Sequence, residues 1–181
     1  MQRGIHYSNI ERKSLTAANR DAILASVPAE VQAFLATRKI GLIEMSPNDL
    51  MMGSSNGRYR VKGHEIRLNS SRAPTTYGKP FTRGIPSVSF GGTDSVEAIS
   101  RTLLHEIGHH IYFSDEATFG PLAAAALAAG SPLTALAAIN REEYFAEGVT
   151  AYYYHPTEFQ RDDPRGYDMV VDVLRRAGVL K

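Results

Sequence analysis

The sequence predicts an α+β domain with a small, mostly antiparallel sheet in its first half and a helical second half. Three observations point there. Short runs rich in β-branched or alternating residues recur between positions 39 and 90, separated by Gly, Pro, Ser and Asn. A periodic apolar stripe spans Asp94 to Phe113. Beyond it the chain is Ala-rich or helically periodic to the C-terminus. Residues 1–38 are expected to form an N-terminal helical segment packed on, or appended to, a main domain of residues 39–181.

Residues 16–38 read as two short helices, with apolar faces from Ile23, Leu24 and Val27, then Val31, Phe34 and Leu35. Pro28 stands where a first helical residue tolerates it. Strands are expected over Lys39–Met45, Arg58–Lys62 and His64–Asn69, the last two joined at Gly63. Residues 70–83 read as a polar loop. Ile85–Phe90 reads as a strand, and Pro86, lacking an amide hydrogen, favours an edge position. That edge, just before the helix of 94–113, could pair with an extended peptide or simply cap the sheet.

The helix of 94–113 has a marked start, with Asp94 and Glu97 spaced as a capping box. At 100° per residue Val96, Ile99, Leu103, Leu104, Ile107 and Ile111 share one face. Opposite lie His105 and His109 of His105-Glu106-Ile107-Gly108-His109, an H-E-x-x-H motif. Imidazoles at i and i+4 can bind one metal ion, and the intervening glutamate, about a quarter-turn away, can reach a water there without ligating. His110, 140° from His105, faces away. Ser114–Gly120 then reads as a polar turn, with helical pieces over Pro121–Ala129 and Pro132–Ile139. Further helices cover Asn140–Tyr154 and a last segment starting at Asp163-Pro164 and ending at Gly178.

Composition limits the partners. The 181 residues are 43% hydrophobic, enough for a core, and 20 basic residues against 19 acidic leave a formal charge of +1. That balance lacks the basic field of a nucleic-acid-binding protein. No cysteine is present, so a metal must be held by His, Asp or Glu. No apolar run follows the charges of Met1–Lys13, and no stretch reaches membrane-spanning length. A protein made in the cytoplasm is expected, although export without a cleaved signal would leave the same sequence.

Two histidines hold zinc poorly, and a catalytic site keeps three protein ligands with one open position. Arg141-Glu142-Glu143-Tyr144-Phe145-Ala146-Glu147-Gly148 offers Glu143 and Glu147 on one helical face. Two partly buried carboxylates are costly unless a cation accompanies them. Glu143 is therefore assigned as third ligand, and Glu147 as acceptor from the far nitrogen of a ligand histidine. The alternative is a solvated face on which Asn140 and Glu143 form a capping box.

HEIGH followed by a later E-Y-F-A-E helix resembles the gluzincin metallopeptidases. The fuller pattern, Glu143-Tyr144-Phe145-Ala146-Glu147 then Ala151-Tyr152-Tyr153-Tyr154-His155-Pro156 and a closing helix, is most similar to the catalytic domain of the lethal-factor-like peptidases. The likeness rests on motifs over roughly residues 90–181 and on strand order before that. It implies a zincin-like fold, Zn2+ on His105, His109 and Glu143, Glu106 as general base, Glu147 in support, and a protein or peptide substrate. The ImmA/IrrE-type peptidases, which also use HEIGH, are a second resemblance. One position departs: the tyrosine that such enzymes carry seven residues before the third ligand is Leu136 here. Tyr112, Tyr153, Tyr154, His155 and His64 remain as alternatives for its oxyanion role. A zinc-binding interaction module with weak or no activity, hydrolysis of a non-peptide amide or ester, and a role inside a larger system as an effector, toxin or phage-associated or regulatory protease are the other readings of the chain.

Overall fold

A computed structural model describes residues 24–38, 41–44, 57–61, 65–68 and 96–181. In chain order these form α1 (Ala29–Arg38), β1 (Gly41–Glu44), β2 (Gly57–Arg60), β3 (Glu65–Leu68), α2 (Val96–Ser114), α3 (Glu116–Ala129), α4 (Arg141–Tyr154), α5 (Pro156–Asp162) and α6 (Pro164–Arg176). The expected α+β class with a mostly antiparallel sheet is thereby corrected. The described residues are mostly helical: α2 alone has 19 residues, whereas each strand has four. The strands are arranged β1-β3-β2, with β1 parallel to β3 and β2 antiparallel to it. Strands this short bury little, so the helices carry the core. The expected edge strand at 85–90, the loop at 70–83 and the Asp94 cap lie outside the described residues.

The centre of the molecule is the pair α2 and α4. The stripe on α2 is buried as its spacing demands, with Leu103, Leu104, Ile107 and Ile111 all in the core. Val27, Val31 and Phe34 from the N-terminal segment join that same core. Phe34 meets the ring of His110 at a centroid distance of 5.9 Å, and Ser26 and Ser100 are hydrogen-bonded. Among the described residues no helix is long and apolar enough to cross a membrane.

Two local expectations fail for identifiable reasons. The polar turn at 114–120 is instead mostly helix. Asp115 caps α3, its Oδ1 accepting from the Thr118 N–H at 3.2 Å, and Phe119 and Gly120 are buried. Pro121 then falls inside the helix rather than starting it, which forfeits one backbone bond. The expected helix at 132–139 is a series of turns. The Thr134 hydroxyl accepts from the Ala137 N–H at 2.8 Å, competing with a helical ladder, while Leu133 and Ala137 anchor the segment in the core. The short helix α5 has no counterpart in the sequence reading.

The C-terminal half is locked by a buried polar contact. Asp163 caps α6 through the Gly166 N–H at 3.1 Å and accepts the Tyr144 hydroxyl of α4 at 2.5 Å. Tyr144 and Asp163 are 3% and 1% exposed, so this carboxylate depends on those donors. Burial first, then the neighbouring Asp163 charge, holds the Tyr144 hydroxyl far above its ordinary pKa. Gly130 makes room, since a Cβ there would meet the Tyr144 hydroxyl at 2.6 Å. Tyr144→Phe should cost about 1.5–3 kcal/mol, the penalty for leaving a buried charged acceptor short of a donor. Thermal unfolding should then move down by several degrees, at roughly 2–4 °C per kcal/mol in a chain of this size. An unchanged midpoint would mean that Asp163 is solvated instead. α6 closes with Gly178 at φ 78°, where the Val179 N–H bonds the Leu174 carbonyl at 2.9 Å.

Candidate metal centre

α2 and α4 bring His105, His109, Glu143 and Glu147 together. Along α2, His105 and His109 rise one turn apart. Along α4, Glu143 and Glu147 do the same on the facing side. His105 Nε2 lies 3.1 Å from His109 Nε2 and 3.1 Å from Glu143 Oε2, and His109 Nε2 lies 3.6 Å from that oxygen. These three residues form a group that could hold a metal ion. Behind them, His105 Nδ1 and Glu147 Oε1 are 2.8 Å apart. With the carboxylate as acceptor, Nδ1 carries the proton and the Nε2 lone pair faces the group.

The atoms fit a cation better than they fit one another. Two imidazole nitrogens at 3.1 Å can satisfy each other only if one keeps its proton. Glu143 Oε2 is buried, and despite its closeness to both rings it lacks the geometry of a hydrogen bond. Tetrahedral ligands at about 2.0–2.1 Å from zinc stand roughly 3.3 Å apart, close to the three separations here. The donor set, two imidazoles and one carboxylate without sulfur, suits a divalent first-row metal ion with an open position.

Glu143 serves the fold and the site with different atoms. Its N–H donates to Asn140 Oδ1 at 2.7 Å, so the Asn140 half of the capping box forms. Its carboxylate turns instead to the histidines. Gly108 is what lets the two helices approach. A Cβ there would lie 2.7 Å from the Ala146 Cα, between the two histidine turns on one side and the two glutamates on the other.

Glu106 is buried, 5% exposed, on the side of α2 that faces β2. Its carboxylate accepts from the Tyr59 backbone, and burial pushes its pKa up while the His105 and His109 charges pull the other way. Gly57 lets β2 pass close over it, since a Cβ at that position would meet Glu106 Oε1 at 2.7 Å. His110 is buried and is not part of the group; its Nδ1 lies 2.9 Å from the Tyr59 hydroxyl. Tyr59 thus holds β2 against both Glu106 and His110, a link the sequence does not signal.

The tyrosines weighed for an oxyanion role divide. Tyr112 is fully buried, its ring packed with Phe113 and Phe145. Tyr153 and Tyr154 are half-buried on α4, and the Arg101 guanidinium sits over Tyr154 with its carbon 4.5 Å from the ring centroid. His155 ends α4 as its C-cap, Leu136 lies in the turn segment, and His64 is outside the described residues.

In the metal-free chain a proton stands where a cation would. Burial disfavours the His105 imidazolium, but Glu143 and Glu147 outweigh it and hold the pKa well above the ordinary 6.5. Glu143 is also opposed by burial, yet the two histidines hold its carboxyl far below 4.5. The raised His105 value gives the metal-free fold a contribution that is complete below about pH 6.5 and fades as pH rises through the folded value. A metal must displace that proton. Its affinity should therefore climb by about tenfold per pH unit across neutrality, below the raised pKa, and acid should release it. Chelator competition at several pH values checks this; a flat profile would rule out His105 as a proton-competed ligand.

A scan against protein-family models finds no match, and a search of curated proteins finds no significant relative.

Proposed function

We propose that the chain is a zinc-dependent peptidase, with His105, His109 and Glu143 as metal ligands and Glu106 as general base. One observation carries the reading: three potential ligand atoms, one of them a buried carboxylate oxygen with no hydrogen bond, converge beside a second buried carboxylate that is held in place without being one of them. A zinc ion bound there supplies Lewis acidity and a water acidified from about 15.7 towards about 7. The chain's own residues do the rest. Glu147 fixes the tautomer and plane of His105. Glu106, anchored by the Tyr59 N–H, takes a proton during attack on the carbonyl and gives it to the leaving nitrogen. Its raised pKa suits a group that must hold that proton between the two steps. The substrate class, a protein or peptide, follows from the resemblance to gluzincins.

The test is elemental analysis of the purified chain together with turnover on an unfolded-protein or peptide library. About one zinc per chain with chelator-sensitive cleavage is expected. Zinc without cleavage would favour the metal-binding module. No metal after zinc is supplied would remove the site.

A further inference from the structure

Two polar rows run along α2. His105 and His109 face α4, whereas Thr102, Glu106 and His110, also spaced by four residues, face β2. All three members of the second row are buried, at 7%, 5% and 4% exposed. Polar side chains this deep cost stability unless their contacts offset it. β2 crosses the row. A Cβ at Gly57 would meet Thr102 Cγ2 at 2.6 Å and Glu106 Oε1 at 2.7 Å, so the strand lies against the first two members. Two residues on, Tyr59 reaches the second and the third. Its backbone N–H donates to the Glu106 carboxylate, and its hydroxyl lies 2.9 Å from His110 Nδ1. Two strand residues rise about 6.6–6.8 Å and four helical residues about 6 Å, so strand and row keep step.

The mechanism above uses Glu106 and leaves His110 without a task. An apolar residue at 110 would fill the same space without the cost of burying a polar ring, since Phe34 packs there at a centroid distance of 5.9 Å. What the imidazole adds to such packing is a directed contact with Tyr59. Either tautomer makes it, with the phenol donating to Nδ1 or accepting from it. The Tyr59 ring is held further, edge-on to His110 at 5.3 Å and stacked with Phe113 at 6.2 Å. A side chain fixed at both ring and hydroxyl fixes its own backbone, and the N–H that Glu106 accepts belongs to that backbone. Glu106 is a long side chain with much rotamer freedom to lose, yet a general base must stay within hydrogen-bond reach of the proton it takes.

We infer that His110 is a positioning residue for the general base: through the Tyr59 hydroxyl it fixes the backbone N–H that orients Glu106 beside the metal group. The inference rests on the peptidase reading and deepens it. His110 is outside the converging ligand atoms and acts only through Tyr59. Because Phe34 of α1 packs on the same imidazole, the N-terminal segment is tied to the base along this path. Breaking the link should leave the metal in place and lower turnover. A misplacement of about 1 Å, caused by a residue away from the chemistry, can cost up to about 10²-fold.

Amide hydrogen exchange at residue 59 provides the test, because it reads the bond to Glu106 in the full chain whether or not the chain turns substrate over. Tyr59→Phe removes the hydroxyl and keeps the ring and the backbone donor. His110→Leu removes the partner, and His110→Asn keeps a polar atom near the Nδ1 position. In Tyr59→Phe and His110→Leu the amide of residue 59 should exchange about tenfold faster relative to the amides of β3, and His110→Asn should restore most of the difference. On the zinc-loaded chain the first two variants should lose about tenfold or more in kcat, with KM and zinc content unchanged. Unaltered exchange at residue 59 would overturn the inference. So would faster exchange spread evenly over β2 and β3, which would make His110 a support for the sheet alone, and so would faster exchange with wild-type kcat. No turnover by the wild-type chain would overturn the peptidase reading and with it the task given to Glu106, while exchange at residue 59 would still decide whether His110 holds the contact. Should His110→Leu lose helix content, Tyr59→Phe decides alone.

Discussion

Glu106→Gln should keep about one metal ion per chain and lose about 10²–10⁴-fold in peptide turnover, the usual share of a positioned general base. The two halves of this expectation come from different features. Metal retention follows because Glu106 is outside the converging ligand atoms, which belong to His105, His109 and Glu143. Loss of turnover follows because an amide of nearly the same shape cannot accept the proton. The substitution is also mild for the fold. The Gln side-chain oxygen can still accept from the Tyr59 backbone, and removing a buried negative charge lowers the desolvation cost. Intact unfolding temperature and metal stoichiometry, measured on the same sample as the activity, separate chemistry from misfolding. A well-folded, zinc-loaded Glu106→Gln chain with full activity would require a different base. His110 would not supply it, since it is buried against Tyr59 and Phe34 rather than beside the metal group.

The juxtaposition of His105, His109, Glu143 and Glu147 was legible in the sequence because its information is local. His105 with His109, and Glu143 with Glu147, are each four residues apart, so helical geometry alone places each pair on one face. The same argument gave the buried stripe of Leu103, Leu104, Ile107 and Ile111. Contacts between distant segments leave no such mark. Tyr59 reaches His110 across 51 positions, and Tyr144 reaches Asp163 across 19, and no spacing rule joins either pair. The sheet shows the same limit. Its strands lie where alternation suggested, but alternation carries no direction, and β1 runs parallel to β3. The α+β expectation failed at the level of weight. Among the described residues, three strands of four residues cannot match helices that bury most of the core. Helix ends were misplaced where a side chain decided them, with Asp115 capping α3 so that it starts at Glu116, five residues before Pro121, and Thr134 holding 132–139 in turns.

Gly108→Ala should damage the metal site without touching a ligand. An added Cβ would sit 2.7 Å from the Ala146 Cα and 3.2 Å from its Cβ, and the first of these is backbone that cannot rotate away. Either α2 and α4 separate or one of them slides. Overpacking of this kind costs about 1–3 kcal/mol. The usual preference of helices for Ala over Gly, about 1 kcal/mol, would offset part of it, so the sign of the net effect reports how tight the contact is. The effect on metal is expected to be larger than the effect on stability. His105 and His109 ride on one helix and Glu143 and Glu147 on the other, so a shift between helices lengthens every contact that joins the two pairs at once. The 3.1 Å and 3.6 Å separations of Glu143 from the two imidazoles and the 2.8 Å bond from His105 to Glu147 would all open together. Losing a supporting acceptor alone commonly costs 10–100-fold in metal affinity, and at least that is expected here. Zinc affinity by chelator competition and thermal unfolding, compared for Gly108→Ala with and without Ala146→Gly, separate the causes. Partial recovery of affinity in the double variant would locate the damage at this crossing. Wild-type affinity in Gly108→Ala would show that the glutamates do not depend on the close approach of the two helices, and that Glu143 is placed by its Asn140 cap alone.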